Sequence, residues 1–192
     1  MMTTARIDDH TQSMVIAGDG AAPSHGVLAG PRARVEATVA SDGGMWTATF
    51  PLQVSRWGGA ALPLPSGEYR LDLAGTDLSD VALGARVLEG LRIAVRGDLV
   101  EIAPPLEPFY DTSEGQAELE AQYAAQPGGE ENAVFFESFY GQSAGCNPRA
   151  IDRELAERAP NVVRYWSVVD LSVPVPEGAV AVVEGSPEWW RA

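Results

Sequence analysis

The residues best suited to chemistry lie where the apolar run Ala133–Val134–Phe135–Phe136 meets a Gly/Ser-rich turn and then Asn147-Pro148-Arg149. Glu137 stands at the predicted strand end, where a carboxylate can orient an acceptor hydroxyl or act as a general base. It can equally tie the loop down through backbone N–H groups. Gly141 gives the turn its backbone freedom. Ser143 offers a hydroxyl, Asn147 is a good N-cap, and Arg149 lies in the first turn of the helix that follows. Backbone N–H groups at a helix start, a hydroxyl and a guanidinium together suit a phosphate. The competing reading is a plain strand-to-helix turn.

Other residues have ordinary alternatives. Arg149 and Arg153 share a helix face as a possible phosphate clamp, although Glu157 stands four residues beyond Arg153 and suggests a solvated ion pair. Cys146 at a helix start is read as a packed loop thiol. His10, beside Asp8 and Asp9, is assigned to a polar tail and not to a metal site. Trp46 and Tyr69 alternate inward as core, which leaves Trp57, next to Gly58–Gly59, as the aromatic available for stacking on a sugar. No catalytic residue, metal ligand or cofactor is assigned.

The elements that must position this chemistry divide in two. From about 132 onward the pattern is α/β. Residues 133–136 form a continuous apolar run, as in a strand covered on both faces. A helix follows from Pro148 to about Arg158, with Ile151 and Leu155 toward the sheet and Asp152, Glu154 and Glu157 toward solvent. Strands are predicted over 161–169 and 179–183. Ser186-Pro187-Glu188 then begins a helix with too little room to form, and Trp189 and Trp190 are expected as an exposed, sticky end. This segment is read as a partial Rossmann-like lobe, truncated, with an open face and edge.

Residues 12–104 read as an antiparallel β-sandwich. Met14–Ala17 is a strand, and Arg34–Val39 alternates with Val35, Ala37 and Val39 on one face. Trp46, Ala48 and Phe50 face inward together, as do Tyr69, Leu71 and Leu73. Leu62–Gly67 is loop, and Arg96–Gly97–Asp98 joins the strands 91–95 and 99–102 as a hairpin. Residues 1–11 are read as a disordered tail. Residues 105–131 are read as a helical linker, its helix capped by Ser113 with Gln116 and broken at Pro127–Gly128–Gly129.

Composition narrows the function. The chain has 192 residues, 45% of them hydrophobic, and a net charge of −14; all 13 basic residues are arginine. With no clustered basic face, non-specific nucleic-acid binding is excluded, while an anionic ligand requires local donors acting against the global field. One cysteine excludes an internal disulfide framework and a thiolate metal cluster. No apolar run reaches membrane-spanning length, and the polar start does not resemble a signal peptide, so a cytoplasmic location is expected.

From Asn132 to Ala192 the chain resembles the start of the catalytic region of CDP-glycerol glycerophosphotransferases. The matching elements are Phe-Glu-Ser-Phe at 136–139, Gly141 with Ser143, Asn-Pro-Arg-Ala-Ile at 147–151, and Glu184–Gly185–Ser186. The resemblance implies a two-lobed transferase of the GT-B type, with CDP-glycerol as donor and a glycerol-phosphate polymer as acceptor. It also implies synthesis of a teichoic-acid-like cell-wall polymer in bacteria, with peripheral membrane association at the inner face. The family's histidines, one in a Trp-His-Gly motif, have no counterpart, since the only histidines are His10 and His25. The fragment alone is therefore expected to be inactive. The alternatives are a non-catalytic sandwich that binds a glycan or a protein, and part of a different GT-B glycosyltransferase.

Overall fold

The computed structural model describes residues 3–55, 58–126 and 130–192. The chain forms two compact units, Met1–Ala103 and Pro104–Ala192. The first unit is all β. Its strands are β1 (Thr4–Asp8), β2 (Ser13–Asp19), β3 (Gly26–Ala29), β4 (Arg34–Glu36), β5 (Thr38–Asp42) and β6 (Met45–Pro51). Then follow β7 (Gln53–Ser55), β8 (Ala61–Pro63), β9 (Gly67–Leu73), β10 (Ala82–Val87), β11 (Arg92–Arg96) and β12 (Leu99–Ala103).

Two antiparallel sheets, ordered β1-β2-β6-β5 and β10-β11-β12-β9-β3-β4, share one core. Strict alternation explains how the sheets face each other. Trp46, Ala48 and Phe50 of β6 are buried, as are Tyr69, Leu71 and Leu73 of β9, while the residues between them look outward. The hairpin at Gly97-Asp98 forms as predicted, with Arg96 opposite Leu99 and Gly97 at φ 62°.

Several expectations need correction. The segment read as a disordered tail contains β1, which pairs with β2 from Thr4↔Ala17 to Asp8↔Ser13. Its turn is held by the Asp8 carboxylate, which accepts from the N–H groups of His10 and Thr11. The predicted strand 34–39 is two strands. At Ala37, whose N–H donates to the Gly26 carbonyl, the chain leaves the sheet of β4 for that of β5. The segment 62–67, read as loop, includes the end of β8 and the start of β9.

The second unit is built on three parallel strands. These are β13 (Ala133–Phe136), β14 (Val163–Val168) and β15 (Val180–Val183), in that order across the sheet. A helix, α2 (Cys146–Arg158), crosses from β13 to β14; α1 (Ser113–Ala124) precedes the sheet and α3 (Pro187–Arg191) follows it. The fold is thus mostly antiparallel β with few helices, and the parallel sheet stops at three strands. Strand β13 is not covered on both faces, since Phe135 is exposed while Phe136 is buried.

Helix α1 is capped one residue earlier than predicted, by Thr112, whose Oγ1 accepts from the Gly115 N–H at 3.1 Å. Gln116 does not close a capping box. Its Nε2 donates to the carbonyls of Tyr110 at 2.6 Å and Gly185 at 2.7 Å, and its Oε1 accepts from Trp190 Nε1 at 2.9 Å. Helix α1 is thereby fastened to α3. Helix α3 does form: Ser186 caps it through the Trp189 N–H, and Pro187 occupies its first turn. The two terminal tryptophans are half-buried, with Trp189 Nε1 donating to Ser167 Oγ at 2.9 Å. The break at Pro127–Gly128–Gly129 lies outside the described residues.

Candidate active-site loop and arginine groove

Helix α2 seats itself on the sheet through a charge. Asp152, predicted to face solvent, is 1% exposed, whereas Ile151, predicted to face the sheet, is 54% exposed. The Asp152 carboxylate is satisfied on both oxygens. Arg164 of β14 donates to Oδ2 at 2.8 Å and Trp166 Nε1 to Oδ1 at 3.0 Å. Arg164 also donates to the Glu177 carbonyl at 3.0 Å, which ties the approach to β15 into the same network. Phe136 stacks on Trp166 beside it, with ring centroids 5.1 Å apart. A buried pair of this kind costs desolvation and is stable only because its remaining hydrogen-bond positions are filled. Asp152 and Arg164 stand twelve residues apart, so no local periodicity could have revealed them.

Between β13 and α2 the backbone takes an unusual course. Phe139, Tyr140 and Gly141 all lie in the left-handed region, with φ of 49°, 54° and 70°. The Gly141 N–H donates to the Ser138 carbonyl and the Gln142 N–H to the Phe139 carbonyl, each at 3.1 Å. The result is one turn of left-handed helix. For L-residues this costs about 1–2 kcal/mol each, and such strain gathers at functional sites. Gly141 is required here, because a Cβ would stand 2.9 Å from the Val169 nitrogen. The Gly141 carbonyl accepts from that N–H at 3.0 Å, which pins the turn to the carboxyl end of β14. Phe139 and Tyr140 are 57% and 85% exposed.

The five predicted site residues divide between two places. Glu137, Ser143 and Asn147 are exposed on the loop, and their side chains make no hydrogen bond among the described residues. Gly141 is the buried pivot. Asn147 is not the cap of α2; the cap position is Gly145, which has no side chain to offer. Arg149 donates to the Ala144 carbonyl at 3.3 Å and lines a groove of about 440 Å³. Arg149, Arg153 and Ala156 of α2, Arg164 of β14, and Pro176 with Glu177 form its walls. Glu137, Gly141, Ser143 and Asn147 do not line it. Arg153, left outside the predicted set, therefore joins Arg149, and its expected ion pair with Glu157 does not form.

Cys146 is exposed at φ 56° on the rim of this groove, not packed into the loop as predicted. Trp57 lies outside the described residues. Among the described residues no group of three His, Cys, Asp or Glu side chains could hold a metal ion, and no helix is long and apolar enough to cross a membrane.

Residues 121–192 match the family described as CDP-Glycerol:Poly(glycerophosphate) glycerophosphotransferase. The match bears out the resemblance drawn from sequence, over 72 of 192 residues. It begins eleven residues before Asn132, inside α1. No curated protein matches the chain.

Proposed function

We propose that the unit carrying this CDP-glycerol glycerophosphotransferase match is a Rossmann-like lobe of the GT-B type, serving transfer of glycerol phosphate from CDP-glycerol to a growing teichoic-acid-like polymer. In that reaction an acceptor hydroxyl attacks the β-phosphorus, the new P–O bond forms, and the bond to the bridging oxygen breaks to release CMP. The hydroxyl proton passes to a base. The match over 121–192 carries this reading, because it contains the strained loop and the whole of α2. Glu137 is suited to orient the incoming hydroxyl, and Ser143 and Asn147, exposed with it on the loop, to donate to phosphate oxygens; Arg149 adds positive charge from the separate groove. The expected setting is the cytoplasmic face of the membrane, where an anionic glycerol-phosphate acceptor would be presented.

Residues 104–192 contain no histidine, so this unit supplies no imidazole base. That observation favours a second reading, a module that holds polymer without turning over donor. Calorimetric titration of the 192-residue chain with CDP-glycerol, and separately with a short glycerol-phosphate oligomer, separates the two. Donor binding weakened by Ser143→Ala and by Asn147→Ala supports the transferase lobe, with little or no CMP release from this chain alone. Oligomer binding without any donor binding selects the module, and failure of both ligands removes each reading.

A further inference from the structure

The second unit has five arginines, and their partners differ. Arg158 bonds to Glu154 at 2.9 Å and Arg164 to Asp152 at 2.8 Å. Arg191 lies close enough to Tyr165 to act on it electrostatically. Arg149 and Arg153 meet no carboxylate among the described residues, and both line the one groove beside α2. In a chain of net charge −14, two unneutralised guanidinium groups in one concavity constitute local anion affinity. Arg164 also lines the groove but is committed to Asp152 and the Glu177 carbonyl, so it fixes the groove's shape and adds little free charge. The Glu177 carboxylate makes no hydrogen bond among the described residues and works against an anion.

We propose that this groove binds a linear phosphodiester through two phosphates, one on Arg149 and one on Arg153. The spacing decides between phosphate-bearing ligands. Side chains four apart on a helix stand about 5–6 Å apart at Cβ. Phosphates joined through a three-carbon unit reach that separation, whereas the phosphates of a pyrophosphate share one bridging oxygen and sit closer than a helical turn. With one phosphate held on each guanidinium, a polymer-like phosphodiester suits this pair better than the diphosphate of a nucleotide. Only the identity of the polymer rests on the function proposed above; the clamp itself does not.

The test is calorimetric titration of the full chain with propane-1,3-diyl bisphosphate, inorganic pyrophosphate and inorganic phosphate at low and moderate salt. The bisphosphate is expected to bind tightest, with affinity falling as salt rises. Arg149→Ala and Arg153→Ala should each weaken it about tenfold, the loss expected for one charged hydrogen-bonding partner. Glu177→Gln should strengthen it severalfold. All three side chains lie on the groove surface, and an unchanged thermal midpoint confirms that each variant folds. Equal or tighter binding of pyrophosphate, or indifference to either arginine substitution, overturns the clamp. Bisphosphate binding without CDP-glycerol binding removes the transferase reading and leaves the clamp standing.

Discussion

The residues that matter most are those that break a local rule. Asp152 is a carboxylate on the buried face of a helix, and its removal should be costly because Arg164 would keep its charge under cover. Asp152→Ala is expected to lose about 3–5 kcal/mol by denaturant unfolding, while Asp152→Leu combined with Arg164→Met recovers most of it. Tyr140 behaves in the opposite way. Glycine tolerates its left-handed backbone, so Tyr140→Gly should stabilise the chain by about 1 kcal/mol or less. If the strained turn serves ligand binding, the same substitution should weaken binding of the glycerol-phosphate oligomer. Tyr165 adds a pH dependence. Its hydroxyl donates to Glu130 at 2.6 Å, and this bond, then burial, raises its pKa above 10.0. The fold favours the neutral phenol. The stabilisation is therefore complete below the unfolded-state pKa and is lost as pH rises through the higher folded value. Stability measured from pH 9 upward should fall less steeply in Tyr165→Phe.

At the scale of elements, Gln116 links two helices that are far apart in sequence. Gln116→Ala leaves the Gly185 carbonyl and the Trp190 indole without this partner, at a cost of about 1–3 kcal/mol. Loosening of α3 should appear as a red shift in tryptophan emission. How well each element could be read from sequence followed from where its partners lie. Strands β6 and β9 were plain, because half-burial alone imposes strict alternation on Trp46–Phe50 and Tyr69–Leu73. Strand β10 was missed because five of its six residues are exposed, leaving no apolar rhythm to detect. The existence of α2 was legible from Pro148 and its acidic pattern. Its orientation was not, since Asp152 finds its partners on another strand. Gln116 fitted a local capping pattern, but its partners Gly185 and Trp190 lie far along the chain.

At the scale of the whole chain, each unit has its own interior. The first closes on a large cluster that includes Leu28, Trp46 and Ile93, and the second on two smaller clusters around Val168 and Trp166. Thermal unfolding should therefore depart from a single two-state transition. Leu28→Ala is expected to cost about 2–5 kcal/mol in one transition, and Asp152→Ala to act on the other. One merged transition shifted equally by both substitutions would contradict this separation. Of the candidate site, the loop and Arg149 were readable from residue types and spacing, whereas Arg153 was discounted because Glu157 looked like its natural partner. The solitary thiol at the groove's rim has a practical corollary. A maleimide dye has a single place to attach, next to the arginines, so the molecule can be made to signal by fluorescence when something anionic settles beside it.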